Sequence, residues 1–166
     1  MFKKANVIAA AIAVLSVNAY AQDGNALLHF TGQVYGGGST GDLTVNNAVN
    51  GTIAGEATAS LVETDTAGTV DLVSDLTDVH TIKVTVTRAD ISVNNTLDGA
   101  ATVTVDLVMD GEVQSDVGLN SEVNFAVQPS VLETLSISPE WAMSSPLSVT
   151  EQLAGQVELT FTVDAA

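Results

Sequence analysis

From residue 26 onward, apolar and polar residues alternate with a period of two, and no helical period of 3.6 is sustained over any long stretch. The clearest alternation is in Thr81-Ile82-Lys83-Val84-Thr85-Val86-Thr87 and in Thr102 to Met109, which predict two strands. Asp110-Gly111 is a tight-turn signal, so Val113 begins the returning strand of a hairpin. Val123, Phe125 and Val127 line one face of a further strand. Near the C-terminus, Gly155 to Val163 places Val157, Leu159, Phe161 and Val163 inward, and Glu158, Thr160 and Thr162 outward. Weaker segments are Leu43-Thr44-Val45, the run from Ile53 through Leu61 after the turn at Asn50-Gly51, and Val70-Asp71-Leu72. The first two read as strands near a sheet edge, and the third competes with a helical turn that would include Asp75 and Asp78. From Gln128 to Pro146 the pattern is irregular and carries all three prolines, which predicts an edge and its loops, with a short strand at Leu135 and Ile137. Trp141 is expected there to cap the core with its indole nitrogen near the surface. Short strands separated by Asn, Asp, Gly and Ser, with no internal repeat, argue an all-β sandwich.

The first residues do not follow this pattern. Met1-Phe2-Lys3-Lys4, an apolar run from Val7 to Val17 and Ala19-Tyr20-Ala21 have the form of a secretory signal peptide with an A-x-A cleavage site. Removing 1–21 leaves 145 of the 166 residues, enough for one compact domain. Lys3 and Lys4 leave with it, so Lys83 and Arg88 remain against 20 carboxylates and the formal charge moves from −16 to −18. That balance excludes nucleic acid as a partner and repels an anionic membrane surface. With no cysteine, the exported fold is held by packing and strand pairing alone.

Ala26-Leu27-Leu28-His29-Phe30-Thr31-Gly32-Gln33-Val34 begins a few residues after the cleavage site. Ala26, Leu28, Phe30, Gly32 and Val34 share one face of an extended strand, and the glycine-rich Gly36 to Gly41 behind it frees the strand from its neighbours in sequence. A one-sided strand so placed is suited to completing another molecule's sheet. The run His29-Phe30-Thr31-Gly32-Gln33-Val34 after a signal peptide resembles the N-terminal extension of chaperone-usher pilus subunits, in a cysteine-free form.

The resemblance implies that residues 22–35 form a donor strand and 36–166 the pilin domain. Ala26, Leu28, Phe30, Gly32 and Val34 would fill five successive pockets of a neighbouring subunit, Gly32 the tight fourth one. Val157, Leu159, Phe161 and Val163 of the last strand would border the acceptor groove. The C-terminus, Asp164-Ala165-Ala166, departs from the family in lacking an aromatic residue next to last. The expected fold class is therefore an immunoglobulin-like β-sandwich, incomplete by itself and completed by a donor strand. The implied partners are neighbouring pilus subunits, a periplasmic chaperone and an outer-membrane usher, with export through the periplasm to the cell surface and an unidentified host receptor.

Other motifs carry less. Gly36-Gly37-Gly38-Ser39-Thr40-Gly41 matches both G-x-G-x-x-G and G-x-S-x-G, but the helix each motif needs is replaced by Asp42-Leu43-Thr44-Val45-Asn46-Asn47, so it reads as a linker. His29 and His80 have no coherent nucleophile or orienting acid, and no catalytic residue is expected. Asp71, Asp75, Asp78 and His80 lack the ligand spacing of a calcium loop, so they read as a solvated face; no metal or cofactor is expected. Asn50-Gly51-Thr52 and Asn94-Asn95-Thr96 read as turns.

The expected function is thus a structural fimbrial subunit supporting adhesion. The alternative is a self-complete secreted adhesin or binding module. Few aromatic residues, Phe30, Tyr35, Phe125, Trp141 and Phe161 in the mature chain, argue against a glycan platform. A free arm from Gln22 to Gly41 favours polymerisation, and an arm paired within its own sheet favours the self-complete module.

Overall fold

The computed structural model describes residues 10–12, 19–20, 26–36, 43–74, 80–128, 131–149 and 151–164, and among these every regular element is a strand. Two short strands, β1 (Ala10–Ile12) and β2 (Ala19–Tyr20), precede the arm strand β3 (Ala26–Gly36). Next come β4 (Leu43–Val49), β5 (Thr52–Gly55), β6 (Leu61–Thr66) and β7 (Gly68–Ser74). They are followed by β8 (His80–Val93), β9 (Thr96–Leu97), β10 (Thr102–Met109) and β11 (Glu112–Gly118). The last three are β12 (Glu122–Val127), β13 (Leu132–Ala142) and β14 (Gln152–Asp164).

These strands form the two sheets of a β-sandwich. Sheet A runs β3-β14-β8-β12, with β9 folded back on β8, β1 on β3 and β2 on β14. Sheet B runs β11-β10-β13 and then divides. Leu132 to Ile137 of β13 pair with β7, which carries β4, whereas Trp141 and Ala142 pair with β6, which carries β5. Strand β3 joins both sheets: Ala26 and Leu27 pair with β5, and Leu28 to Gly36 pair with β14. That last pairing is parallel, and every other one is antiparallel.

The alternation seen in the sequence sets the core. Val105, Leu107 and Met109 of β10, Leu135, Ile137 and Trp141 of β13, and Val157, Leu159 and Phe161 of β14 are all buried. Ile82, Val84, Val86 and Phe125 add to sheet A's inner face. The turn at Asp110-Gly111 has positive φ at both residues, 48° and 80°, as a two-residue hairpin requires.

Three expectations are corrected. Ile53 to Leu61 is not one strand, because the chain turns between β5 and β6. There Thr58, at φ 71°, donates its N–H to the Leu147 carbonyl at 2.8 Å. Neither flanking strand is outermost, since β5 lies between β3 and β6, and β6 between β5 and β13. Small residues alternate through this run without the volume to fill a core, so the pattern overstated its length.

The proline-bearing stretch is not an edge either. It holds the eleven-residue β13, paired along one side with β10 and along the other with β7 and then β6. Pro139 is tolerated because of the division in sheet B. Its carbonyl accepts a 2.6 Å hydrogen bond from Thr64 Oγ1, so the position of its missing N–H faces the interval between the β7 and β6 pairings. Trp141, expected to lift its nitrogen to the surface, is 1% exposed, and its Nε1 has no hydrogen-bond partner. Val70 to Leu72, ambiguous in sequence, belongs to β7; Asp75 and Asp78 lie outside the described residues.

Candidate functional site

The candidate site is the side of sheet A where β14 meets β3. Strand β14 is held from its other side by β8, over twelve register pairs from Leu153↔Val93 to Asp164↔Thr81. One register shift interrupts them, at Glu158/Leu159, where β8 carries an extra residue at Thr87. Toward β3 there is no such interruption. Nine consecutive pairs run from Gly155↔Leu28 to Val163↔Gly36.

This register brings the two predicted sets of residues together. Phe30 is the Cα partner of Val157, Gly32 of Leu159 and Val34 of Phe161, while Leu28 partners Gly155 and Val163 partners Gly36. Val157, Leu159 and Phe161 are each 1% exposed or less, so these β14 positions are core positions. Ala26 lies outside this ladder and pairs with Ile53 of β5. The arm expected to stand free is therefore paired within its own chain, and the groove beside β14 is occupied. The physical reason is that pairing within one chain costs only loop closure, whereas a free arm would leave the backbone groups along β14 unpaired.

The sequence reading missed the strand that backs β14 on the side away from β3. Val86 partners Leu159 and Val84 partners Phe161, so each buried β14 position is flanked on both sides. The signal was present in the alternation of Thr81 to Thr87, but strand order is not readable from periodicity. The start of β14 also escaped it: Leu153 is fully buried and partners Val93.

Two aspartates pin elements around the sandwich. Asp98 accepts hydrogen bonds from the Ser144 N–H at 2.9 Å, the Ser144 hydroxyl at 2.8 Å and the Ala100 N–H at 3.2 Å. The Ser144 N–H, then its hydroxyl, hold the Asp98 carboxyl below the usual carboxylate range. Asp71 accepts from Asn47 Nδ2 at 3.0 Å and from the Thr134 hydroxyl at 2.8 Å, which lower its pKa in the same order.

Of the candidates weighed for chemistry, Ser39 lies outside the described residues, His29 sits within β3 and His80 opens β8. Among the described residues, no group of three His, Asp or Glu side chains is arranged to hold a metal ion. Glu133 is the one polar residue among the buried ones described, at 7% exposed. Its carboxylate accepts the Gln128 N–H at 3.1 Å through Oε1, while Oε2 is unpartnered. The site described by β3 and β14 is thus one of strand pairing, and no protein-family model or curated protein sequence matches the chain to link it with a known family.

Proposed function

We propose that this chain is a structural subunit of a bacterial surface fimbria whose copies are linked by exchange of β3. The observation that supports this reading is the unbroken register of β3 on β14, made by a strand that follows a leader-like segment and is tethered by Gly36 to Gly41. A strand attached in this way makes the same pairs with its own β14 or with that of another copy, which is the condition for domain swapping. Closed on itself, the subunit covers an edge that would otherwise template aggregation. Opened, it passes the strand to a neighbour, and repetition of that step gives a non-covalent filament. In this reading residues 1–21 are the cleaved signal, a periplasmic chaperone holds the open groove, and an outer-membrane usher exports the polymer.

The test is an unheated denaturing gel of the exported protein, compared with boiled samples and with chains lacking residues 22–34 or carrying Gly32→Leu. A heat-sensitive ladder that disappears in both altered chains is the expected result. Monomer alone in every lane refutes the reading. A second reading would then stand, a self-complete secreted binding module, which the pairing of β3 within its own chain favours.

A further inference from the structure

The outermost strands of sheet B carry two matching irregularities. On one side, Asn46 partners Asp71 and Val49 partners Thr69, so two residues of β4 oppose one of β7. On the other, Val105 partners Val117 and Leu107 partners Gln114, so two residues of β11 oppose one of β10. Each is a β-bulge on the outer strand of its pair. In both, one of the extra residues is left-handed, Asn47 at φ 46° and Asp116 at φ 56°. In both, an aspartate of the neighbouring strand holds it: Asp71 Oδ2 accepts Asn47 Nδ2 at 3.0 Å, and Asp106 Oδ1 accepts the Asp116 N–H at 2.9 Å. The other two register shifts, at Asp65 of β6 and Thr87 of β8, lie in strands that carry a second partner elsewhere along their length, and neither residue is left-handed.

A regular outer strand offers a row of backbone donors and acceptors to any extended chain, and a bulge breaks that row by twisting the strand and turning one peptide out of line. We infer that the bulges at Asn47 and Asp116 are guards that close both edges of sheet B to strand addition, confining pairing between copies of this chain to sheet A. The inference deepens the strand-exchange reading and rests on it, since guards of this kind matter most where strands of like sequence meet at high local concentration. Sheet A differs in the expected way. The pairs of β3 with β14 and of β12 with β8 run without register shifts.

The guards are removed by residues that resist the left-handed conformation. Branching at Cβ disfavours it about tenfold, whereas glycine adopts it freely. In a two-fold antiparallel pairing of two β11 strands, the central Ser115 lies opposite its own copy. The chain has no cysteine, so Ser115→Cys supplies a single thiol there. The full chain with Ser115→Cys is compared in three forms: unaltered elsewhere, with Asn47→Thr and Asp116→Thr, and with Asn47→Gly and Asp116→Gly. The two double variants lose the same charge.

On mild oxidation, the threonine pair is expected to form disulfide dimers about tenfold faster than the glycine pair, which should match the unaltered form. Equal rates in the threonine and glycine forms overturn the inference. Should the threonine pair fail to fold, Asp106→Ala removes the acceptor that holds the Asp116 N–H and leaves the bulge residues in place; an unchanged dimer rate in that variant is equally fatal. Exchange of β3 pairs it with β14 and does not involve β11, so this measurement and the gel ladder fail independently.

Discussion

Removal of the arm, residues 22–36, is the perturbation whose size follows most directly from the structure. It strips nine consecutive pairs from β14 and two from β5. At a net contribution of about 1 kcal/mol per backbone hydrogen bond, and roughly one bond per pair in a parallel ladder, the β14 side alone loses about 9 kcal/mol. The whole stability of a domain is about 5 to 15 kcal/mol, so the truncated chain is expected to be largely unfolded at 25 °C. Urea titration monitored by tryptophan fluorescence reads this cleanly, because the single Trp141 is 1% exposed in the folded chain. With an m-value of about 2 kcal/mol/M, a loss of that size moves the midpoint by roughly 4 M. A peptide of residues 26–36 added in trans should restore part of the folded signal in a concentration-dependent way. A midpoint shift below about 0.5 M, roughly 1 kcal/mol, would show that β3 contributes little to the fold and refute the pairing argument.

Three further outcomes are expected. Phe161→Asp buries an unpaired carboxylate between Val34 and Val84 register positions and should abolish folding, a result checked by circular dichroism after expression; a native-like spectrum would remove β14 from the core. Gly51→Ala should destabilise by about 3 kcal/mol, because its Cβ would lie 2.3 Å from the Thr66 carbonyl oxygen and 2.6 Å from the Gly68 nitrogen, whereas Gly55→Ala meets the movable end of Leu147 and should cost less; equal thermal melting points for the two would contradict this. The pKa values of Asp98 and Asp71 are lowered in the fold, so their stabilisation is complete above the pKa of an unfolded aspartate and is lost as pH falls through the lower, folded values. Asp98→Ala should therefore flatten the acid limb of a stability-against-pH curve below about pH 4, and an unaltered limb would show that the Ser144 contacts are not made.

The parts of the fold legible in the sequence were those where one alternating run made one strand. Thr102 to Met109 became β10, whose alternation buries Val105, Leu107 and Met109, and Gly155 to Val163 lies inside β14. What escaped was set by neighbours. Pro139 argued for an edge because a proline lacks a donor, yet sheet B divides beside it and asks for none there. Trp141 argued for a nitrogen near the surface because an indole N–H usually finds a partner, yet the residue is buried without one. Asn47 and Asp116 gave no periodic signal, because a bulge is a departure from the period. The pairing of the two predicted sets, Phe30, Gly32 and Val34 with Val157, Leu159 and Phe161, needed only the register, which no single strand contains.

The parallel course of β3 and β14 also decides how the molecule answers a pull. The chain enters β3 at one end of their shared ladder and leaves β14 at the other. Tension between those two points slides one strand along its partner, so all nine pairs bear the load together. The same strands laid antiparallel would have both attachment points at one end, and the ladder would open pair by pair under a much smaller force. The contact that closes the sandwich is also the one placed to resist being drawn out lengthwise.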